Sequence, residues 1–311
     1  MPLDPKAREL LNARATVLPK TGTVSAQQMR ALHRELLAKA PPGPPVHAVE
    51  NLTIAGQGDD IPVRVYRPSA TPKALIVYFH GGGWTVGSLD GWDTALRKLA
   101  LTTACAVASV DYRLAPEARF PAAVDDARSA VVWAAANLEK LAGGTVPLFV
   151  AGDSAGANLS TVICQWARDH DGPVIAGQIL LYPSTDGNID SDYMKRFIPP
   201  SLTVEEVAWY FDQYIPNRAD RSDPRFAPLH AKQLGNVPPA LVLTVDEDLM
   251  CEEGEIYGQR LQEAGVSVKI KRFMGTFHGF FTADRGLLPH SGEAMADIAE
   301  FIDGVLGGKA A

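Results

Sequence analysis

The pattern of apolar and polar positions changes character near residue 46. Residues 1–45 predict two helices, the second beginning with a capping box at Ser25 and Gln28 and carrying an apolar stripe at Met29, Leu32, Leu36 and Leu37. The proline-rich stretch 41–45 ends this helix. We expect residues 1–45 to form an N-terminal helical cap segment over a site, although a plain packing arm fits the same pattern.

From residue 46 onward, strands and helices alternate. Apolar runs predict eight strands at 46–54, 61–66, 74–79, 105–110, 148–151, 176–182, 240–245 and 266–273, and amphipathic stretches predict helices at 90–101, 122–141, 155–168, 253–263 and 291–305. Continuous apolar strands separated by helices indicate an α/β fold with a mostly parallel, eight-stranded sheet and helices on both faces. The first two strands have no helix between them and therefore predict an antiparallel edge.

The alternation stops for more than fifty residues between 183 and 239. A capping box at Thr203 and Glu206 begins a helix there, and the helix presents four aromatic residues: Trp209, Tyr210, Phe211 and Tyr214. Such a stripe is typical of a core, but a long insertion beside the strand ends more often covers a pocket. We predict a cap insertion at about 186–225 within a catalytic domain of residues 46–311, with these aromatics as pocket residues.

Composition narrows the classes of function. The 311 residues, 46% of them hydrophobic, are enough for one large domain with an appendage. A net charge of −7 without a Lys/Arg block argues against nucleic acid as a partner. No run approaches the ~18 apolar residues of a membrane span, and Asp4 and Glu9 stand where a signal peptide would be apolar.

The three cysteines, Cys105, Cys164 and Cys251, lie far apart in apolar or helical patterns. They read as reduced thiols and not as a disulfide framework or a metal site, so we expect a cytoplasmic location. The pattern does not determine the oligomeric state, and a homodimer is kept as an open alternative.

A candidate nucleophile lies at the end of the strand near residue 150. The apolar run stops at Gly152, Ser154 follows within two residues, and Ala155 and Gly156 open a helical pattern. In such a strand–turn–helix the serine takes a strained conformation that exposes its hydroxyl, and the glycines let strand and helix approach closely. The amide of Ala155 then lies at a helix N-terminus, where donors without intrahelical partners favour a developing negative charge.

A glycine-rich loop supplies a second signal. His80 is followed by three glycines, 81–83, and then by Trp84, directly after the apolar strand 74–79. Glycines at a strand end let backbone amides point into a cavity, so this stretch predicts an oxyanion-hole loop.

An acyl-transfer serine needs a histidine base and a carboxylate, which in α/β-hydrolases follow the serine in the order acid, then histidine. Of the histidines after Ser154, we choose His278 because it directly follows a strand; the others are His170, His230 and His290. The acid is left ambiguous by this reasoning, since the preceding strand ends with three carboxylates, Asp246, Glu247 and Asp248.

Together these motifs resemble the hormone-sensitive-lipase-like carboxylesterases of the α/β-hydrolase fold. The resemblance runs from about residue 45 to the end and rests on the segments 80–84, 111–117 (Asp-Tyr-Arg-Leu-Ala-Pro-Glu) and 152–156 (Gly-Asp-Ser-Ala-Gly). It implies a helical cap, and it implies that Gly82, Gly83 and Ala155 donate to the oxyanion.

The resemblance also implies which carboxylate is the acid. In the family the acid opens a D-P-L-x-x-E-G stretch, and counting back from Glu253 and Gly254 leads to Asp248. The chain departs from the pattern at the next two positions, where Leu249 replaces the proline and Met250 the leucine.

The resulting prediction is a serine carboxylesterase that hydrolyses short- to medium-chain acyl esters through an acyl-enzyme intermediate. Ser154, His278 and Asp248 form its triad, Trp84 and Asp153 lie beside the pocket, and no metal or organic cofactor is implied. Two alternatives are an amidase or deacetylase of the same fold, which the same machinery permits, and a non-catalytic small-molecule-binding member, against which His278 argues.

Overall fold

A single sheet organises the protein, whose structure is a computed structural model describing residues 2–283 and 288–308. Its strands are β1 (Ala48–Ile54), β2 (Ile61–Arg67), β3 (Leu75–Phe79), β4 (Ala106–Val110), β5 (Leu148–Asp153), β6 (Gly177–Leu181), β7 (Ala240–Glu247) and β8 (Val268–Phe277). They lie in the order β1-β2-β4-β3-β5-β6-β7-β8. The β1–β2 and β2–β4 pairs are antiparallel and the other pairs are parallel. The predicted eight-stranded, mostly parallel sheet with an antiparallel edge is confirmed.

Helices flank the sheet and also lie at one end of it. They are α1 (Pro5–Val17), α2 (Ala26–Ala38), α3 (Leu89–Thr103), α4 (Ala122–Ala136), α5 (Leu138–Ala142), α6 (Ala155–Asp169), α7 (Asp192–Arg196), α8 (Val204–Tyr214), α9 (Cys251–Glu263) and α10 (Pro289–Leu306). Two 3₁₀ turns, Arg218–Ser222 and Pro228–His230, follow α8. Within the described ranges, a helix both long and apolar enough to span a bilayer is not found.

The central strands are buried on both faces, as continuous apolar runs require. Every residue of β3, β4, β5 and β6 is buried. Alternate side chains enter opposite cores: Val77 and Phe79 pack on the face covered by α4, α6 and α9, while Ile76 and Tyr78 pack on the face covered by α3 and α10. This double burial holds the strand ends in fixed positions.

Three predicted elements differ clearly from the structure in their bounds. The single helix expected over 122–141 is wrong: it breaks at Asn137, whose side-chain amide donates to the Trp133 carbonyl oxygen (2.8 Å) in competition with the helical backbone pattern. The strands expected at 240–245 and 266–273 run further, because they continue to pair with each other as far as Glu247 and Phe277. Their extension carries the chain directly to Asp248 and His278.

The two N-terminal helices are anchored to the sheet and to a neighbouring loop. The amide of Asp4, the N-cap of α1, donates to the Gly275 carbonyl oxygen (2.8 Å). In α2, Gln27 and Arg30 both donate to the Glu117 carboxylate. Since these contacts reach both Glu117 and the end of β8, α1 and α2 are fixed beside the strand ends and are not a free arm.

Candidate active site

The turn between β5 and α6 holds Ser154 in a strained conformation. Its φ of 53° and ψ of −117° fall in a region that non-glycine residues rarely occupy, at a cost of about 1–3 kcal/mol. The amide of Ser154 donates to the Leu181 carbonyl oxygen of β6 (2.8 Å), and its own carbonyl oxygen accepts from Asn158 (3.0 Å). The sheet and the helix together maintain the strain that lifts the hydroxyl out of the sheet.

Close approach of backbone to backbone makes this turn possible. A methyl group on Gly156 would overlap the Phe79 carbonyl oxygen of β3, and one on Gly152 would overlap the backbone of Gly156. Only a residue without a side chain fits either position, which is the role that the glycine spacing predicted.

We therefore expect Gly156→Ala to lower the free energy of unfolding by about 3 kcal/mol or more, because rigid backbone must move to admit the methyl group. Urea unfolding monitored by circular dichroism measures the change. Gly144→Ala is the matched control, since a methyl group there meets no atom within 4 Å. A Gly156→Ala variant as stable as this control would show that the turn is packed differently.

A chain of hydrogen bonds links Ser154 to His278 and Asp248. The Ser154 hydroxyl lies 2.9 Å from His278 Nε2, and His278 Nδ1 lies 2.8 Å from Asp248 Oδ2. Asp248 is fully buried, and its Oδ1 accepts the Met250 amide (2.9 Å). Because a carboxylate can only accept, Nδ1 carries the proton and Nε2 is left to accept from the serine.

The two neighbouring carboxylates have other partners. Asp246 Oδ1 accepts the amide of Gly275 (2.8 Å), in the segment that leads to His278. Glu247 is the last residue of β7 and lies opposite Phe277 in the ladder. The geometry therefore brings Asp248, and neither of its neighbours, to the imidazole, although Leu249 and Met250 depart from the expected motif.

The insertion contributes a contact that the sequence patterns did not suggest. The Tyr193 hydroxyl, on the short helix α7, donates to the Asp248 carbonyl oxygen (3.0 Å). Tyr193 also stacks on Phe197, with ring centroids 5.3 Å apart. The loop that carries the acid is therefore held from the insertion side as well as by β7.

Tyr193→Phe is expected to lower kcat by about two- to fivefold with little change in KM, because one hydrogen bond worth about 0.5–1.5 kcal/mol would no longer orient the acid loop. Steady-state kinetics separates the two constants. Tyr257→Phe is the control for a purely structural loss. It removes a buried hydroxyl in the middle of α9 that accepts a hydrogen bond from the Gln165 side chain (3.3 Å). Equal effects of both changes on kcat would argue against a positioning role for Tyr193.

The glycine-rich loop after β3 presents free amides beside Ser154. Gly82 (φ 107°) and Gly83 (φ 58°) have backbone conformations that favour glycine. The Gly82 carbonyl oxygen accepts from Thr85 and Val86, and the Gly83 carbonyl oxygen accepts the Thr85 hydroxyl (2.9 Å). In the part of the chain described, the amides of Gly82, Gly83 and Ala155 have no acceptor of their own, so they remain available to a ligand.

Asp153 connects this loop to the serine turn. Its Oδ1 accepts the Gly81 amide (3.0 Å), the Tyr78 hydroxyl (2.9 Å) and the Trp92 indole N–H (2.8 Å). Burial raises the pKa of Asp153 to about 6, an effect that these donors oppose. Asp153 does line the cavity, as predicted, but its contacts chiefly fix the loop.

His80 supports the loop from beneath. Its Nδ1 lies 2.7 Å from the Gly81 carbonyl oxygen, and its ring stacks on Tyr112 with centroids 4.3 Å apart. Burial lowers the pKa of His80 to about 4, so the ring is neutral at pH 7. The motif located this loop, but the loop's supports at His80 and Asp153 needed the structure.

A cavity of about 700 Å³ opens above Ser154 and His278. This volume lies within the ~300–1,000 Å³ typical of small-molecule sites. The walls come from α1 and α2, the glycine-rich loop and α8, with Leu11, Met29, Leu37, Trp84, Val207, Tyr210 and Phe211 among the apolar lining residues. Sequence reasoning did not single out the lining residues of α1.

Two of the predicted pocket aromatics lie elsewhere, which corrects the prediction. Trp209 packs against Gly22. Consecutive helix positions point about 100° apart, and of the four aromatic residues of α8 it is Tyr210 and Phe211 that line the cavity. Tyr214 shares their stripe but lies one turn further along, buried behind Trp84, whose ring it stacks on at 4.8 Å.

Comparison with known proteins places this arrangement in a family. The sequence profile of the alpha/beta hydrolase fold matches residues 76–282, which is more than half of the chain and includes the glycine-rich loop, the serine turn and His278. The chain belongs to the α/β-hydrolase family. This α/β-hydrolase is 42% identical to the carboxylic ester hydrolase LipN of Mycobacterium tuberculosis, over 80% of its own length and 68% of that protein.

Other relatives cover this α/β-hydrolase almost completely. An arylesterase of Saccharolobus solfataricus is 36% identical over 92% of this chain and 94% of its own. The structure of a hyperthermophilic esterase from the archaeon Pyrobaculum calidifontis superposes with a TM-score of 0.89 at 36% identity, covering 98% and 99% of the two chains. The similarity therefore includes the N-terminal helices and the insertion as well as the sheet.

Metal-binding residue types do not converge in this α/β-hydrolase: among the residues described, no group of three His, Cys, Asp or Glu side chains is arranged to hold an ion. The chemistry available at the site is that of a hydroxyl, an imidazole, a carboxylate and backbone amides. Such a set is suited to nucleophilic acyl transfer.

Proposed function

We propose that this protein is a serine carboxylesterase in which Ser154, His278 and Asp248 form the catalytic triad. The observation that carries the proposal is the hydrogen-bonded chain Ser154–His278–Asp248, at 2.9 and 2.8 Å, beneath a cavity edged by free amides. The relatives support it, since those at 36–42% identity over most of the chain are named as carboxylic ester hydrolases and esterases. The protein is a carboxylic ester hydrolase.

The proposed reaction follows from the geometry. The Ser154 hydroxyl attacks the ester carbonyl carbon while His278 Nε2 takes its proton, and buried Asp248 stabilises the imidazolium that forms. The amides of Gly82, Gly83 and Ala155 donate to the oxyanion of the tetrahedral intermediate. His278 then gives its proton to the departing alcohol, leaving an acyl-enzyme, which water hydrolyses through the same steps with His278 again as base.

The cap in this proposal consists of residues 1–45 and the insertion at about 186–225. Support comes from the cavity walls, since α1 and α2 contribute Leu11 and Met29 while α8 contributes Tyr210 and Phe211. Tyr210 lies over Gly83, where a methyl group would overlap its ring. Because cap residues contact the oxyanion loop directly, the cap encloses the reacting atoms and limits the size of the substrate.

We expect p-nitrophenyl butanoate to octanoate to be hydrolysed at least about tenfold faster, in kcat/KM, than p-nitrophenyl palmitate. Each buried methylene contributes up to ~0.8 kcal/mol, but only until the acyl chain meets the wall of the cavity. Rates measured across the series below and above the solubility limit provide the test. A preference for palmitate, or a rise in rate when an emulsion forms, would point to a lipase.

The proposal includes a cytoplasmic location, and a homodimer is kept as the alternative to a monomer. The three cysteines are buried and unpaired, which supports a reducing compartment. Light scattering coupled to size exclusion measures the oligomeric state, for which a mass near twice 33.4 kDa is the result that supports a dimer.

A further inference from the structure

The mouth of the cavity carries positive charge on a protein whose net charge is −7. Four cationic residues of the N-terminal segment line the cavity: Arg14, Lys20, Arg30 and Arg34. Among the described lining residues, the carboxylates are those of Asp153 and Glu206. The N-terminal segment therefore concentrates cationic side chains at the cavity mouth, although the protein as a whole carries a net negative charge.

Most of the other charged lining residues already have partners. Arg30 is paired with Glu117 at 2.5 Å, Asp153 accepts three hydrogen bonds, and Glu206 caps α8 by accepting the Thr203 amide (2.9 Å). The pKa of Glu205 is lowered chiefly by hydrogen bonds at the start of α8 and, to a smaller extent, by the charge of Lys20. The charges of Arg30, Asp153 and Glu206 are therefore committed to structural contacts, and that of Lys20 is partly offset by an exposed carboxylate.

Arg14 and Arg34 are different. Neither has a carboxylate partner among residues 2–283 and 288–308, and both are exposed at the cavity mouth. Arg14 lies on the same face of α1 as Leu11, Ala15 and Leu18, so helix geometry directs it toward the cavity. Arg34 lies on the corresponding face of α2, one position after His33.

His33 is less exposed than the two arginines. It also lines the cavity, and within the described structure its side chain has no hydrogen-bond partner. Burial, and secondly the charge of Arg14, lower its pKa to about 4, so at pH 7 it is a neutral imidazole with one N–H to donate. Burial raises the pKa of Tyr210, the residue over Gly83, and the charge of Arg14 is one of the influences that oppose this rise, in keeping with an Arg14 side chain directed toward the cavity.

We propose that Arg14, Arg34 and His33 bind a carboxylate group carried by the ester substrate, at the end remote from the bond that is cleaved. The inference rests on the proposed esterase function and specifies its substrate class as anionic esters. An apolar cavity rejects a carboxylate because of the cost of desolvation, whereas two unpaired guanidinium groups at the mouth attract it and leave it partly hydrated.

The test compares substrates that differ only in charge. For an acyl-side carboxylate, the mono-p-nitrophenyl esters of adipate, suberate and sebacate are compared with the same esters whose far carboxylate is replaced by a primary amide. For an alcohol-side carboxylate, the butanoate ester of 4-hydroxybenzoate is compared with that of 4-hydroxybenzamide. We expect the anionic member of at least one pair to have a kcat/KM about fivefold or more above its neutral partner at low salt.

Charge-neutralising variants show whether the arginines cause the preference. Arg14→Gln and Arg34→Gln should each lower the anionic-to-neutral ratio by about three- to fivefold and the double variant by about tenfold, with the preference weakening at 0.5 M NaCl. Arg8→Gln is the matched control, because Arg8 is an exposed arginine on α1 outside the cavity lining. It makes the same change in net charge and should leave the ratio unaltered.

Binding to the Ser154→Ala protein separates this inference from the proposed function. Calorimetry with monomethyl adipate and with its neutral amide analogue measures recognition without turnover. If wild type hydrolyses neutral esters but shows no charge preference in either pair, or if Arg8→Gln lowers the ratio as much as Arg14→Gln, the anionic-ester inference is overturned while the esterase stands. If nothing is hydrolysed, the proposed function fails, and equal binding of the two probes would overturn the inference independently.

Discussion

Ser154→Ala is expected to abolish covalent labelling by a fluorophosphonate and to lower kcat for p-nitrophenyl butanoate by at least about 10⁴-fold. The reason is that the hydroxyl held 2.9 Å from His278 Nε2 is the group proposed to bond to the acyl carbon. Binding and the oxyanion amides would still provide some acceleration over water, so the residual rate is small and not zero.

Ser160→Ala is the matched control for that experiment. Ser160 lies on the same helix, buried, with its hydroxyl bonded to the Gly156 carbonyl oxygen (3.0 Å). It should label normally, because its hydroxyl is committed to the helix. Labelling that persists in Ser154→Ala and disappears in Ser160→Ala would place the nucleophile elsewhere.

The second large effect concerns the acid. Asp248→Asn should lower kcat by about 10³–10⁴-fold, because an amide opposite His278 Nδ1 favours the tautomer with the proton on Nε2, which cannot accept from Ser154. The fold should remain intact, since asparagine has nearly the same shape and its oxygen can still accept the Met250 amide. Steady-state kinetics and thermal unfolding on the same preparation distinguish these effects.

The two neighbouring carboxylates are the controls. Asp246→Asn keeps an oxygen that can accept the Gly275 amide, and Glu247→Gln changes a residue that lies in the β7–β8 ladder. Each should cost less than about tenfold in kcat. Comparable losses at all three positions would mean that the acid is shared or misassigned.

Features that depend on local sequence were predictable. The capping boxes at Ser25 and Thr203 are present as expected, because the side chain and the amide that it caps are only three residues apart. The strand–turn–helix at Ser154 followed from an apolar run, two glycines and a helical pattern, all within a dozen residues. The continuous apolar runs likewise predicted a sheet buried on both faces.

Other features depend on contacts between distant parts of the chain, and only the tertiary structure decided them. The pattern of residues offered three adjacent carboxylates, and the resemblance alone favoured Asp248; in space, the pairing of β7 with β8 brings Asp248 to His278 and directs Asp246 to Gly275. Similarly, an aromatic stripe shows which side chains share a helix face but not where the cavity ends, so Tyr214 was misplaced.

The sequence by itself determined the fold, the nucleophile's turn and the order of the chemical groups, because each is written in short-range pattern and spacing. The tertiary structure decided which residues surround the reacting atoms: Asp153 and His80 beneath the oxyanion loop, Tyr193 on the acid loop, and the arginines at the mouth. These depend on how α1, α2 and the insertion pack over the strand ends, and such packing between segments far apart in sequence has no local signature.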